Sequence, residues 1–178
     1  MIQYRDAAPD DAPLLSALST RTFTETFGHL YKPEDLAAFL ANYAVERWAG
    51  ELADPDLTIR LAFAGEEPAG YAKIGPVSLP VEPPGPSAEL RQLYVLKPWQ
   101  GEGVARALMD WALAQAEGRG AQHLYLSVFI DNHRARRFYE RHGFVEVGPY
   151  AFKVGNHVDE DIIMHLDLRK AKHIGEDA

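Results

Sequence analysis

Apolar positions recur at two spacings along this chain, and the switches between them outline its elements. Ile2 to Arg5 reads as a short strand. Helical spacing follows, with Leu14, Leu15 and Leu18 on one face. Pro9-Asp10-Asp11 starts that helix, because aspartate side chains can accept from the free N–H groups of a helix start. Gly28 stops it after Phe27. Pro33-Glu34-Asp35 opens a second helix with Leu36, Phe39 and Leu40 on its buried face, and a third runs from Val45 to Leu52, before Pro55. From Leu57 the spacing becomes two. Thr58 to Phe63 alternates, Ala64 to Glu67 turns, and Ala69 to Ile74 returns, which predicts a β-hairpin.

The segment Gly75 to Ser87 holds five of the chain's twelve prolines and reads as a stiff loop, too short to separate domains. Glu89 to Val95 is the central strand. Gly101 to Gly118 is a helix with Val104, Leu108, Trp111 and Ala112 on one face. Gln122 to Val128 is a strand, and Asn132 to Arg141 a helix ended by Gly143. Phe144–Lys153 and Asp161–Leu168 then pair across Gly155-Asn156, a hairpin turn pair. The final ten residues are charged and read as a frayed end. The order β-α-α-α-β-β-β-α-β-α-β-β predicts an α/β fold, a three-layer sandwich around a mixed sheet. At 178 residues, one domain spanning 1–178 is the simplest organisation.

Composition narrows the chemistry. The chain has no cysteine, so disulfides, thiolate metal sites and a covalent cysteine mechanism are excluded, and a cytoplasmic location is expected. Seven histidines lie scattered without a metal-ligand spacing, so no metal is expected. The net charge of −8 weighs against nucleic acid and suits a cationic acceptor such as an amine, although acidity also serves solubility alone. No apolar run approaches the ~20 residues of a membrane span, and the N-terminus lacks signal-peptide features.

The stretch Gln100-Gly101-Glu102-Gly103-Val104-Ala105 lies between a predicted strand and a predicted helix. Glycines there leave room for a phosphate to approach backbone N–H groups, and the helix dipole adds to the attraction. A P-loop would need Lys then Ser or Thr after the last glycine, and a dinucleotide fingerprint would need a small residue where Arg106 stands. Two glycines at a turn also occur in ordinary connections.

The surroundings add a specific pattern. Gln100, Gly103 and Ala105 fill Q/R-x-x-G-x-G/A, and Asn132, Ala135, Phe138-Tyr139-Glu140 and Gly143-Phe144 follow in order. This resembles the GNAT acetyltransferase superfamily over nearly the whole chain, most closely from about Glu89 to Leu168. The resemblance implies a mixed, mostly antiparallel sheet with splayed central parallel strands, and acetyl-coenzyme A as co-substrate. It implies that the pyrophosphate sits on the N–H groups of Gly101 to Ala105. The pantetheine arm would run along Leu93, Tyr94 and Val95, with Asn132 and Phe138 beside it and the backbone N–H of Val95 or of a neighbour facing the thioester oxygen.

The resemblance also places Tyr139 beside the coenzyme sulfur as general acid. A tyrosine hydroxyl keeps its proton at neutral pH and can give it to a departing thiolate. Read by pattern alone, Phe138-Tyr139 could equally be a buried helix face. Asn132 is expected to cap its helix. Glu89 is the candidate base, acting through a water; a solvated strand-end carboxylate is the alternative. Arg91 stands where related sequences often carry a second acid. The segments Arg21 to Gly28, Tyr31, Asp35-Leu36, Phe152 to Gly155 and Asp161 to Met164 are similar to bacterial spermidine/spermine N-acetyltransferases. By that likeness Glu25 meets a polyamine nitrogen and Phe27 helps wall the acceptor pocket; by pattern alone, Glu25 is equally a solvent-facing helix residue. Acetylation of an amino sugar, an amino acid or a protein amino group, or a non-catalytic coenzyme A sensor, remains open, and a homodimer is compatible with the fold.

Overall fold

In the computed structural model, which describes residues 1–170, the elements follow the predicted order. Strand β1 spans Ile2–Asp6, followed by α1 (Ala12–Phe27), α2 (Pro33–Leu40) and α3 (Val45–Ala53). Then come β2 (Thr58–Ala64), β3 (Glu67–Gly75), β4 (Ser87–Val95), α4 (Val104–Gly118), β5 (His123–Phe129), α5 (His133–Arg141), β6 (Val145–Val154) and β7 (His157–Asp167). The expected fraying of the last ten residues falls mostly on 171–178, outside the described residues. Arg169 pairs with Asp167 at 3.1 Å.

The seven strands form one sheet in the order β1-β2-β3-β4-β5-β7-β6. Every pairing is antiparallel except β4 with β5. Alternation along the strands separates two cores. On one face Ala72, Leu90, Leu124, Leu126, Ile162 and Met164 pack under α4 and α5. On the other, Leu61 and Tyr71 pack against Leu15, Leu18, Phe23 and Trp48 of α1 and α3. Buried Ser19 joins α1 to α3: it donates to Leu15 O at 2.6 Å and accepts from Trp48 Nε1 at 3.0 Å, so no polar group is stranded there.

The parallel pair shapes the molecule's function. It holds only at Ser87, Ala88 and Glu89 against His123, Leu124 and Tyr125. Just beyond, Arg91 is an extra residue in β4, because Gln92 pairs with Lys73 while Leu90 pairs with Ile74. Such a bulge bends its strand. β4 therefore stays with β3 to Val95 while β5 stays with β7 to Phe129, and a cleft opens between them.

Three local expectations are corrected. Pro9–Asp11 forms a separate 3-10 turn, and the Asp11 carboxylate accepts from Ala8 N at 2.7 Å and from Arg5 instead of capping α1. Helix α4 begins at Val104, not Gly101, because Gly101 and Gly103 have φ of 86° and 81° and cannot belong to a right-handed helix. β7 starts four residues earlier than the pattern suggested, at His157 rather than Asp161.

Candidate active site

The cleft between β4 and β5 continues into a cavity of about 620 Å³ that reaches both faces of the sheet. Its α4–α5 side is suited to an anion. The N–H groups of Gly101 to Ala105 have no backbone partner among the described residues, as the geometry of a helix start requires. A Cβ added at Gly103 would meet nothing within 4 Å, so the turn faces open space. Gln100 fixes the turn: its Nε2 donates to Val95 O at 3.0 Å, and its Oε1 accepts from Arg134 Nη1 at 2.6 Å. Arg134, through Gln100, and Arg106, in the first turn of α4, stand at this end, and Arg141 of α5 also lines the cavity. The sequence reading missed them. The basic run around Arg134 to Arg137 was visible, but only the fold brings part of it to the glycine turn.

Leu93, Tyr94 and Val95 line the middle, opposite Leu126 to Phe129. Leu96 N donates to Ala69 O of the β3 side at 2.9 Å. Strand alternation therefore turns the N–H of Val95 the other way, into the cleft. A backbone donor there is positioned to receive charge on an acyl oxygen. Asn132 caps α5, accepting from Ala135 N at 3.3 Å, and lines the cavity with Phe138. Glu102 and Val104 are not among the lining residues: Glu102 is exposed and the Val104 side chain is in the core, which leaves only their backbone N–H groups to face a ligand at the turn.

Tyr139 is buried at the cavity wall, and no described residue shares a hydrogen bond with its hydroxyl. Burial first, and Tyr94 second, hold its pKa well above the ordinary tyrosine value. The hydroxyl stays protonated and can only donate a proton at neutral pH.

Glu89 is not in the cavity. Its Oε1 accepts from Ser78 N at 2.8 Å, Ser78 Oγ at 2.9 Å and Leu79 N at 3.3 Å. It ties the proline-rich loop to β4, and Leu79 of that loop then packs on Tyr125 and Ile163. The geometry gives Glu89 this anchoring task through Oε1, and Glu89 is not among the residues that line the cleft cavity, where a base for the acceptor would stand.

The α1 side of the cavity is acidic and aromatic. Phe23, Phe27, Tyr31, Phe129 and Phe152 line it, with Phe27 and Phe129 edge to face at 6.1 Å. Asp35 Oδ1 accepts from Asn156 N at 2.8 Å, clamping the β6–β7 turn to the start of α2 and holding Phe152 in place against Phe39. Glu25 lines the rim, where its oxygens accept from Arg21 Nε at 3.2 Å and Lys97 N at 3.3 Å. Deeper lie Asp159 and Asp161 of β7, each 6% exposed. Tyr31 donates to one oxygen of Asp159, and His157 Nε2 lies 3.0 Å from the other. Burial, then Asp159, raises the pKa of Asp161 to about 7. The sequence reading named Asp161 only within a segment of likeness and left Asp159 outside the expected strand, so neither was a candidate site residue. Among the described residues no group of three or more histidines, aspartates and glutamates could hold a metal ion, and no helix is long and apolar enough to cross a membrane.

Comparison with known proteins agrees with this geometry. The model of the acetyltransferase (GNAT) family matches residues 15–144. An uncharacterised N-acetyltransferase of Mycobacterium tuberculosis is 35% identical over 159 residues, covering 89% of this chain and 98% of its own. Another, from Lactobacillus delbrueckii subsp. lactis, is 29% identical over 160 residues, covering 89% and 92%. The crystal structure of the PaiA N-acetyltransferase from Thermoplasma acidophilum, in complex with coenzyme A, superposes with a TM-score of 0.76 at 19% identity, covering 94% of this chain and 99% of that one. A strand pair that splays above a glycine turn, in a chain that follows these relatives almost end to end, makes this protein a member of the GNAT acetyltransferase family, an acyl-CoA-dependent N-acetyltransferase.

Proposed function

We propose that this chain, as one catalytic domain in the cytoplasm, transfers acetyl from acetyl-CoA directly to a small primary amine, with a polyamine such as spermidine or spermine the favoured acceptor. The observation that carries the reading is the division of charge along one cavity. Arg134, bonded to Gln100, and Arg106, in the first turn of α4, stand at the glycine turn, whereas Asp159 and Asp161 of β7 line the α1 side, with Glu25 at a rim it shares with Lys97. An anionic coenzyme fits the first end and an ammonium the second. Aromatic walls at Phe23, Phe27 and Tyr31 suit the methylene stems and the charge of a polyamine. The same acids repel an acceptor carboxylate, which disfavours free amino acids.

In this reading the thioester lies against the Val95 N–H, which steadies charge on the acyl oxygen, and Tyr139 protonates the departing sulfur. Glu25 meets a distal nitrogen of the acceptor. The test is thiol release from acetyl-CoA with spermidine, spermine, monoamines of similar length, an amino sugar, amino acids and a peptide amine. Polyamines are expected to lead in kcat/KM. Equal rates for monoamines would remove the polyamine preference; a lead for the sugar or peptide would reassign the acceptor. No transfer to any amine, with coenzyme A still bound, would leave a sensor.

A further inference from the structure

Asp161 is the acid that the cavity leaves without a protein partner. It stands on β7 in register with Phe129, the last residue of β5, and with Tyr150 of β6. It is only 6% exposed, lines the cavity, and makes no hydrogen bond or ion pair among the described residues. Its neighbour Asp159 is occupied on both oxygens by Tyr31 and His157. The charged form of a buried carboxylate with no protein partner is costly, and a proton, cavity water or a ligand cation relieves it. The titratable groups around it are Asp159 on its own strand, Tyr94 from β4, Tyr31 after α1 and Tyr150 from β6. Glu25 and Lys97 stand at the rim of the same cavity. Tyr94 and Tyr139 line the same cavity as Asp161.

We propose that Asp161 is the general base of the transfer, receiving the acceptor's ammonium and taking the proton that must leave before nitrogen can attack. This rests on the amine reading above. The ammonium gives one proton to the Asp161 carboxylate. The freed lone pair forms the N–C bond to the acetyl carbon, and the C–S bond breaks with its electron pair on sulfur. Tyr139 protonates that sulfur, the second nitrogen proton restores Tyr139, and Asp161 passes its own proton to solvent. A base that titrates near the working pH suits this task, and burial beside Asp159 brings Asp161 to about 7.

The test is kcat/KM from pH 5.5 to 9.5 with acetyl-CoA and spermidine, alongside coenzyme A affinity by calorimetry. Wild-type enzyme is expected to rise to a plateau with an inflection near pH 7. Asp161→Asn should fall about 100-fold at pH 7 and keep rising to pH 9.5 without a plateau, following the free amine, at unchanged coenzyme A affinity. Asp161→Ser serves where the first variant fails to bind coenzyme A. A variant with the wild-type rate and profile overturns the proposal. Carboxyl ¹³C NMR of the wild-type protein is an independent arm: the resonance lost on substitution should titrate near 7, and titration at the ordinary aspartate value overturns the assignment. If the wild-type enzyme acetylates no amine, the acceptor reading falls, and the NMR arm alone decides whether Asp161 is a proton site.

Discussion

At the scale of single residues, burial decides which ionisable groups can act. Tyr139 has the chemistry of an acid because its buried hydroxyl cannot ionise near neutral pH and, among the described residues, none shares a hydrogen bond with it. Tyr139→Phe is expected to lower kcat about 10–100-fold at unchanged coenzyme A affinity, at the low end for an acid because thiolates leave easily. Wild-type turnover under conditions where chemistry limits the rate would exclude the acid role. Asp161 gives a second prediction, on stability in the absence of ligand. Its folded pKa, about 7, lies above the unfolded one, so the folded state binds the extra proton between the two. Stability is therefore lost as pH rises from about 4 to 7, and the loss is complete above that. Asp161→Asn should match wild type in Tm near pH 3.5 and exceed it by a growing margin up to about pH 7.5, then by a constant one. A margin independent of pH would mean that the carboxylate ionises normally.

At the scale of elements, two breaks in regular structure make the site. The bulge at Arg91 parts β4 from β5, and the Gly101–Gly103 turn starts α4 at Val104, three residues after the expected start at Gly101. Both glycines are in the left-handed region, where a side chain costs about 1–3 kcal/mol. Gly103→Val is therefore doubly unfavourable: it strains the turn and fills the open space before it. Coenzyme A affinity should drop at least about tenfold in protein that still folds, as calorimetry and circular dichroism would show. Unchanged affinity would take the phosphate away from this turn.

At the scale of the whole molecule, the sheet separates the two substrates. The glycine turn and the arginines lie on the α4–α5 side, the acids and aromatic rings on the α1 side, and the splayed strands join them. Two ligands can then occupy the cavity together, and the chain has no cysteine to carry an acyl group. Initial-rate lines for acetyl-CoA and amine should intersect to the left of the axis, and mass spectrometry of enzyme with acetyl-CoA alone should find no acetylated intermediate. Parallel lines with an acetylated residue would require a covalent route.

The sequence alone determined the element order and announced the glycine turn that the structure brings to the cavity. Those depend on signals within short stretches: apolar spacing, glycines at a turn, Asn132 at a helix start, and Gln100 through Ala105 as one continuous run. It also carried Tyr139, because a helix fixes the spacing from Asn132. What it could not decide was which acids meet in space. Glu89 and Asp161 are both strand carboxylates by pattern. Only the tertiary structure seats Glu89 under the Ser78–Leu79 loop and leaves Asp161 bare in the cavity. Those environments are made by segments far apart in the chain, and desolvation and hydrogen bonding, which set what a carboxylate does, belong to the packed surroundings rather than to the residue.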